Sequence, residues 1–231
     1  MELISRTAIV LGASGLVGGH CLRALVDDPD TSRVLTFGRR ELPLLTRAKV
    51  TQKVAELGSL TAADFQGVQD VYCALGTTIR KAGSQEAFRH VDLELPLRAA
   101  QESLKAGAEQ FVAVSSVGAD VASKNFYLRT KGEMEKELAK LPFKAIHILR
   151  PSLLIGKRAE FRLGEAMAMM IAPALDVLTL GRLRKYHSMH AEIAGLAMVA
   201  AAKQGKNGTN IYEYEEIINL ASRDRRVNGP R

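Results

Sequence analysis

Tyr127 and Lys131 stand four residues apart in NFYLRTKGEMEKEL, a stretch with helical spacing, so both side chains share one face and can reach each other or a common ligand. A phenol has a pKa of about 10 and must come down to exchange a proton at neutral pH, and a nearby ammonium favours that. In a chain with five tyrosines such a pair arises readily by chance, so its placement decides its meaning. Ser115 and Ser116 end the apolar run FVAV just upstream, where a hydroxyl can polarise the oxygen that the phenol protonates. Glu133, Glu135, Lys136 and Glu137 read as solvated, which keeps an ordinary surface helix as the competing reading.

A second group of residues has the chemistry of phosphate binding. Gly12, Gly15 and Gly18 in GASGLVG follow the β-branched run TAIVL directly and open a segment with helical spacing through Leu16, Val17 and Leu22. One glycine makes the tight turn, one admits a pyrophosphate to the backbone and one lets the helix pack on the sheet, while the free amides of the first helical turn face the anion. Ser14 adds a hydroxyl donor. Dinucleotide type is read about 20 residues on, where a carboxylate takes the ribose 2′-OH and an Arg accommodates a 2′-phosphate. Here the second strand ends Phe37-Gly38-Arg39-Arg40, with no carboxylate, so NADPH is expected over NADH.

These groups need a frame. Strands are predicted at Thr7–Leu11, Val34–Phe37, Val50–Val54, Val71–Leu75, Phe111–Val114 and Ala145–Leu149, with helical patterns at Leu16–Val26, Ser84–Lys105 (interrupted at Pro96) and Asn125–Leu141. Such alternation predicts an α/β fold, a Rossmann-like doubly wound parallel sheet with helices on both faces. Residues 1–231 read as one domain, with 152–220 forming a small substrate-side cap and 221–231 a frayed basic tail. Gly164–Leu180 and His190–Lys203 read as cap helices, and Met167, Met169 and Met170 as their core filling.

Composition narrows the classes. The net charge is +7, but Arg223, Arg225, Arg226 and Arg231 against Asp224 put a net +3 of it in the last nine residues, and no aromatic interleaving accompanies the rest, so no nucleic-acid partner is expected. No apolar run reaches the length of a membrane span, so no membrane partner is expected either. The N-terminus lacks the pattern of a secretory signal, and the two cysteines, Cys21 and Cys73, sit in apolar segments without a staple pattern, which together predict a cytoplasmic protein. His187 and His190 have helical spacing without a third ligand, so no metal is expected, and His147 reads as a core histidine. The oligomer is expected to be a monomer or a homodimer.

The glycine loop, strand-end serine, Tyr127 and Lys131 resemble the short-chain dehydrogenase/reductase superfamily, and the strings CALGTTIRKAG, VSSVGAD, NFYLRTKGEME and LRPSLLIG resemble its atypical branch, the Tat-interacting oxidoreductase family with its bacterial relatives. The resemblance covers most of the chain. It implies NADPH bound at Gly12, Ser14, Gly15, Leu16 and Arg39, with Gly76, Thr77 and Thr78 beside it and Pro151 and Leu153 flanking the nicotinamide; Val17, Gly18, Arg40 and Leu75 are expected to line the same cofactor site. It also implies Tyr127, Lys131 and Ser116 (or Ser115) in the active site, with Lys131 additionally holding the nicotinamide ribose. Ser116 is preferred because Val117-Gly118 follow it. Two departures stand out: Ala74-Leu75-Gly76 replaces the Asn-Ala-Gly of many members, and no counterpart of the proton-relaying helix Asn is visible. The resulting expectation is an NADPH-dependent reductase of a small carbonyl compound. The alternatives are an NADPH-sensing interaction protein with little turnover and an enzyme of nucleotide-sugar epimerase type.

Overall fold

In a computed structural model, which describes residues 5–39, 41–42, 48–156 and 187–228, nine strands are seen. They are β1 (Arg6–Leu11), β2 (Thr31–Gly38), β3 (Val50–Val54), β4 (Asp70–Cys73), β5 (Gln110–Val114), β6 (Ala145–Leu149), β7 (Leu154–Ile155), β8 (Met189–His190) and β9 (Gly208–Tyr212). Seven of them form one sheet in the order β3-β2-β1-β4-β5-β6-β9, and every adjacent pair is parallel. The order reverses between β1 and β4, the point at which doubly wound sheets open a crevice at the carboxyl ends of their strands. β7 and β8 pair separately as a short ribbon.

The central strands are apolar on both faces because both are covered. Ala8 and Val10 of β1 point into one core layer, shared with Cys21, Leu22 and Leu25 of α1 (Leu16–Asp27). Ile9 and Leu11 point into the other, shared with Phe111, Met134 and Leu138. Further helices are α2 (Ile79–Ala82), α3 (Gln85–Arg89), α4 (Leu95–Lys105), α5 (Phe126–Leu138), α6 (Ala191–Ala202) and α7 (Tyr214–Asn228).

Three expectations are corrected. The helix predicted over 84–105 is interrupted at a π-turn spanning His90–Glu94, one residue short of α4's opening Pro96 region, instead of at Pro96 itself. Pro96 has no N–H to give Asp92 and its ring would strike that carbonyl, so the preceding turn widens and the Leu95 N–H donates to the His90 carbonyl, five residues back. Of the cap expected over 152–220, α6, β9 and the described start of α7 belong to the main unit. α6 is apolar nearly all round because α1, the sheet and α7 enclose it, and at Gly195 an added Cβ would lie 2.6 Å from the His20 Cβ and 2.7 Å from the Cys21 nitrogen. Finally, α7 continues to Asn228, so most of the expected basic tail is helical backbone, anchored by buried Ile217, Leu220 and Ala221. Arg40, the Met167–Met170 cluster and the Gly164–Leu180 helix lie outside the described residues.

His147 is a core histidine, as expected. It lies on β6, fully buried, with Nδ1 3.0 Å from the Tyr212 hydroxyl and Nε2 3.3 Å from Gln110 Oε1. Gln110 Oε1 can only accept, so the proton sits on Nε2 and Nδ1 accepts from Tyr212. Burial, with a smaller contribution from Lys206, lowers the imidazole pKa from 6.5 to about 4. Between those values the unfolded chain holds the proton that the folded chain refuses, so stability falls as pH drops through this window, by about 3 kcal/mol from this group. Denaturant unfolding at pH 7 and pH 4 checks this. The stability change between the two pH values is expected to be about 3 kcal/mol smaller in His147→Gln than in the parent, whereas equal changes would exclude His147 as the titrating group.

Candidate active site

The glycine loop is built so tightly that only glycine fits at two of its positions. Gly12 has φ +85°, and a Cβ there would lie 2.6 Å from the Ala74 carbonyl oxygen, so the end of β1 touches the loop after β4 across the topological switch point. A Cβ at Gly18 would lie 2.2 Å from the Gly12 carbonyl oxygen, which is how closely α1 approaches the turn. Gly15 is the N-cap of α1; no side chain caps the helix and no acidic residue occupies its first turn. The amides of Leu16, Val17 and Gly18 and the positive helix end are thereby left for an anion. Ser14 is exposed beside them, and Arg39 is exposed directly after β2. Gly156 closes the loop from the other half of the chain, since a Cβ there would lie 2.7 Å from Leu16 Cδ1.

The other expected residues gather at the same carboxyl edge. Leu75 is buried and Gly76, Thr77 and Thr78 form the loop that follows β4, where the Thr78 hydroxyl caps α2 by accepting from the Lys81 N–H at 3.1 Å. Ser115 extends the β5 ladder by donating its N–H to the Leu149 carbonyl at 2.7 Å, and the Val117 N–H donates to the Pro151 carbonyl at 3.0 Å. Leu153 accepts from the Met189 N–H and so ties this segment to the β7–β8 ribbon.

Asn125 starts α5 by accepting from the Leu128 N–H at 3.2 Å, which sets Tyr127 in the first turn and Lys131 one turn later. The Tyr127 ring packs on buried Phe88 of α3 with centroids 5.5 Å apart. Lys131 is 3% exposed, with its ammonium donating to the Val114 carbonyl at the end of β5 at 3.4 Å and standing 2.7 Å from Asp92 Oδ1. Burial alone would push its pKa down, but the Asp92 carboxylate together with Tyr127 and Cys73 more than offsets this and holds Lys131 above its ordinary value, protonated and charged. Glu135, read as solvated, is in fact buried. It takes the Arg150 guanidinium in a two-pronged ion pair, with Arg150 Nε 3.0 Å from Oε1, because α5 packs on the sheet along that side.

The two serines differ. Ser116 Oγ donates only to its neighbour's carbonyl, Val117, at 3.4 Å, and Ser115 Oγ is buried without a hydrogen-bond partner among the described residues. Buried hydroxyls without partners are rare in folded proteins. An orphaned buried hydroxyl, an uncapped helix start and a cradle that excludes side chains fit a bound dinucleotide and a polar substrate atom. Asp92 is the residue that sequence reasoning missed. Its signal was legible: it is a carboxylate on the stripe Phe88-Asp92-Pro96-Ala99-Ser103, whose other members are buried and spaced as a helix face.

A groove of about 310 Å³ on the other flank of α5 is lined by Asp120, Val121, Lys136, Arg150, Thr209 and Ile211, among others, and includes none of these site residues. Among the described residues no cluster of ligating side chains for a metal is present, and no helix is long and apolar enough to cross a membrane.

Known proteins resemble this chain in sequence and in fold. The chain is 34% identical to "Protein fmp52, mitochondrial" of Emericella nidulans over 206 residues, covering 86% of this chain and 88% of that one. It is 36% identical to "Protein HTATIP2" of Rattus norvegicus over 171 residues, 72% of this chain and 70% of that one. The Saccharomyces cerevisiae "Protein FMP52, mitochondrial" is 39% identical over 155 residues, 66% and 67% of the two chains. Among solved structures, MoeE5 in complex with UDP-glucose and NAD superposes with a TM-score of 0.67 at 15% identity, over 95% of this chain and 81% of that one, which shows the Rossmann-like fold. The fungal names overturn the cytoplasmic expectation. The pattern of a secretory signal does not bear on the other compartments. The HIM1 family model matches residues 41–180, well over half of the sequence, and with these relatives it shows that the chain belongs to the HIM1 family.

Proposed function

We propose that the protein is an NADPH-dependent reductase of a small aldehyde or ketone. The observation that carries the reading is the buried, charged Lys131 at the carboxyl end of β5, one helical turn after Tyr127 and at the same sheet edge as the glycine loop. The α1 amides and Ser14 would hold the pyrophosphate, and Arg39 with Arg40 the 2′-phosphate. Lys131 would hold the nicotinamide ribose hydroxyls. When bound, the reduced nicotinamide supplies a hydride. Ser116 or Ser115 orients the substrate oxygen, Tyr127 gives that oxygen its proton, and the Lys131 ammonium stabilises the charge left on the phenol oxygen. The carbonyl carbon gains the hydride and the oxygen gains the proton, so the product is the alcohol. No nucleic-acid, membrane or metal partner enters this reading.

Purified protein offered a panel of aldehydes and ketones is expected to consume NADPH with at least one of them. Arg39→Ala should lower the preference for NADPH over NADH by about tenfold, or about 1.4 kcal/mol. An unchanged preference would place recognition of the 2′-phosphate elsewhere. Enzymes of nucleotide-sugar epimerase type are the second reading, favoured by the NAD and UDP-sugar complex of MoeE5. It predicts a cofactor that copurifies and is never consumed.

A further inference from the structure

We propose that Asp92 is a positioning residue that couples the cofactor loop after β4 to Lys131, so that the nicotinamide half of the dinucleotide is recognised through the Asp92–Lys131 pair. This rests on the dinucleotide reading above.

The π-turn turns Asp92 inward, and its carboxylate is 1% exposed. One oxygen, Oδ2, accepts from the Thr77 backbone N–H at 2.8 Å. The other, Oδ1, lies 2.7 Å from Lys131 Nζ. A Cβ on Gly76 would come within 3.4 Å of the same oxygen, so the loop lies directly against the carboxylate. One buried acid is therefore clamped between a loop at the dinucleotide crevice and the ammonium beside Tyr127. A buried carboxylate is disfavoured unless paired and hydrogen-bonded, so the three groups hold one another in register. Without the charge of Asp92, the ammonium loses the partner that offsets its burial and the loop loses its anchor. Contacts to the adenosine 2′-phosphate would be made by Arg39 at the end of β2 and would not pass through this pair.

Titration of the full chain with NADPH and with adenosine 2′,5′-bisphosphate, which lacks the nicotinamide half, separates these effects. Asp92→Asn is expected to weaken NADPH by about tenfold and leave the bisphosphate unchanged, which also shows that the variant is folded. The same loss is expected in Lys131→Gln, and no larger loss when both are replaced, because the two side chains act as one unit. The double variant leaves no unpaired buried charge and serves if Asp92→Asn alone does not fold. Equal weakening of both ligands, no weakening of either, or additive losses in the double variant would overturn the proposal. Parent protein that binds the bisphosphate but not NADPH would overturn it too, and parent protein that binds neither would overturn the dinucleotide reading with it.

Discussion

Tyr127→Phe is expected to lower kcat for carbonyl reduction by about 10²–10⁴-fold while NADPH affinity stays within about threefold. The substitution removes one oxygen and keeps the ring, so the contact with Phe88 at 5.5 Å and the start of α5 survive. Lys131 also stays in place, because its partners are Asp92 and the Val114 carbonyl. Only the proton donor is gone. Turnover at saturating NADPH, measured beside a binding titration of the same preparation, separates this outcome from a damaged site. Turnover within a few-fold of the parent would show that the proton comes from another group.

Gly12→Ala is expected to abolish NADPH binding and to destabilise the fold by about 3 kcal/mol, a fall of about 6–12 °C in Tm for a domain of this size. Two costs add at this position. The backbone sits at φ +85°, which an L side chain adopts only with strain, and the new Cβ would lie 2.6 Å from the Ala74 carbonyl oxygen and 2.8 Å from its carbon. Backbone on both sides cannot swing away as a flexible side chain can. Relief requires β1 and the loop after β4 to separate at the place where the crevice forms. Gly67 serves as the control. Its φ is +73° but no atom lies within 4 Å of an added Cβ, so Gly67→Ala carries the strain without the overlap and should leave cofactor binding intact. Unchanged NADPH affinity in Gly12→Ala would mean that the dinucleotide does not use this turn.

The parallel sheet was legible because its strands are short apolar runs at regular intervals and its loops carry glycine where the backbone demands it. TAIVL followed by GASGLVG predicts both the strand and the tight turn, and Gly12 and Gly18 prove to be positions without room for a side chain. The helix that sets Tyr127 and Lys131 on one face was legible from its spacing, with Asn125 fixing where α5 begins. Residues 191–220 were misread because the apolar faces of α6 have no direction along the chain: an apolar helix can cover a pocket or fill a layer, and only the approach of Gly195 to α1 shows which. Glu135 was misread for the opposite reason. Its neighbours Lys136 and Glu137 are at least partly exposed, and its partner Arg150 lies 15 residues away on another element, where local pattern does not reach. Asp92 carried a signal in its own helix face, yet its meaning depends on a π-turn and on Thr77 and Lys131, which meet only in the fold.

The central claim is that the glycine loop and Arg39 hold a dinucleotide with a 2′-phosphate. Calorimetric titration of cofactor-free protein with NADPH and with NADH in one buffer tests it most directly. Both are expected to bind, NADPH at least about tenfold more tightly, a difference of about 1.4 kcal/mol. NADH binding as tightly as NADPH, or neither binding at all, would contradict it.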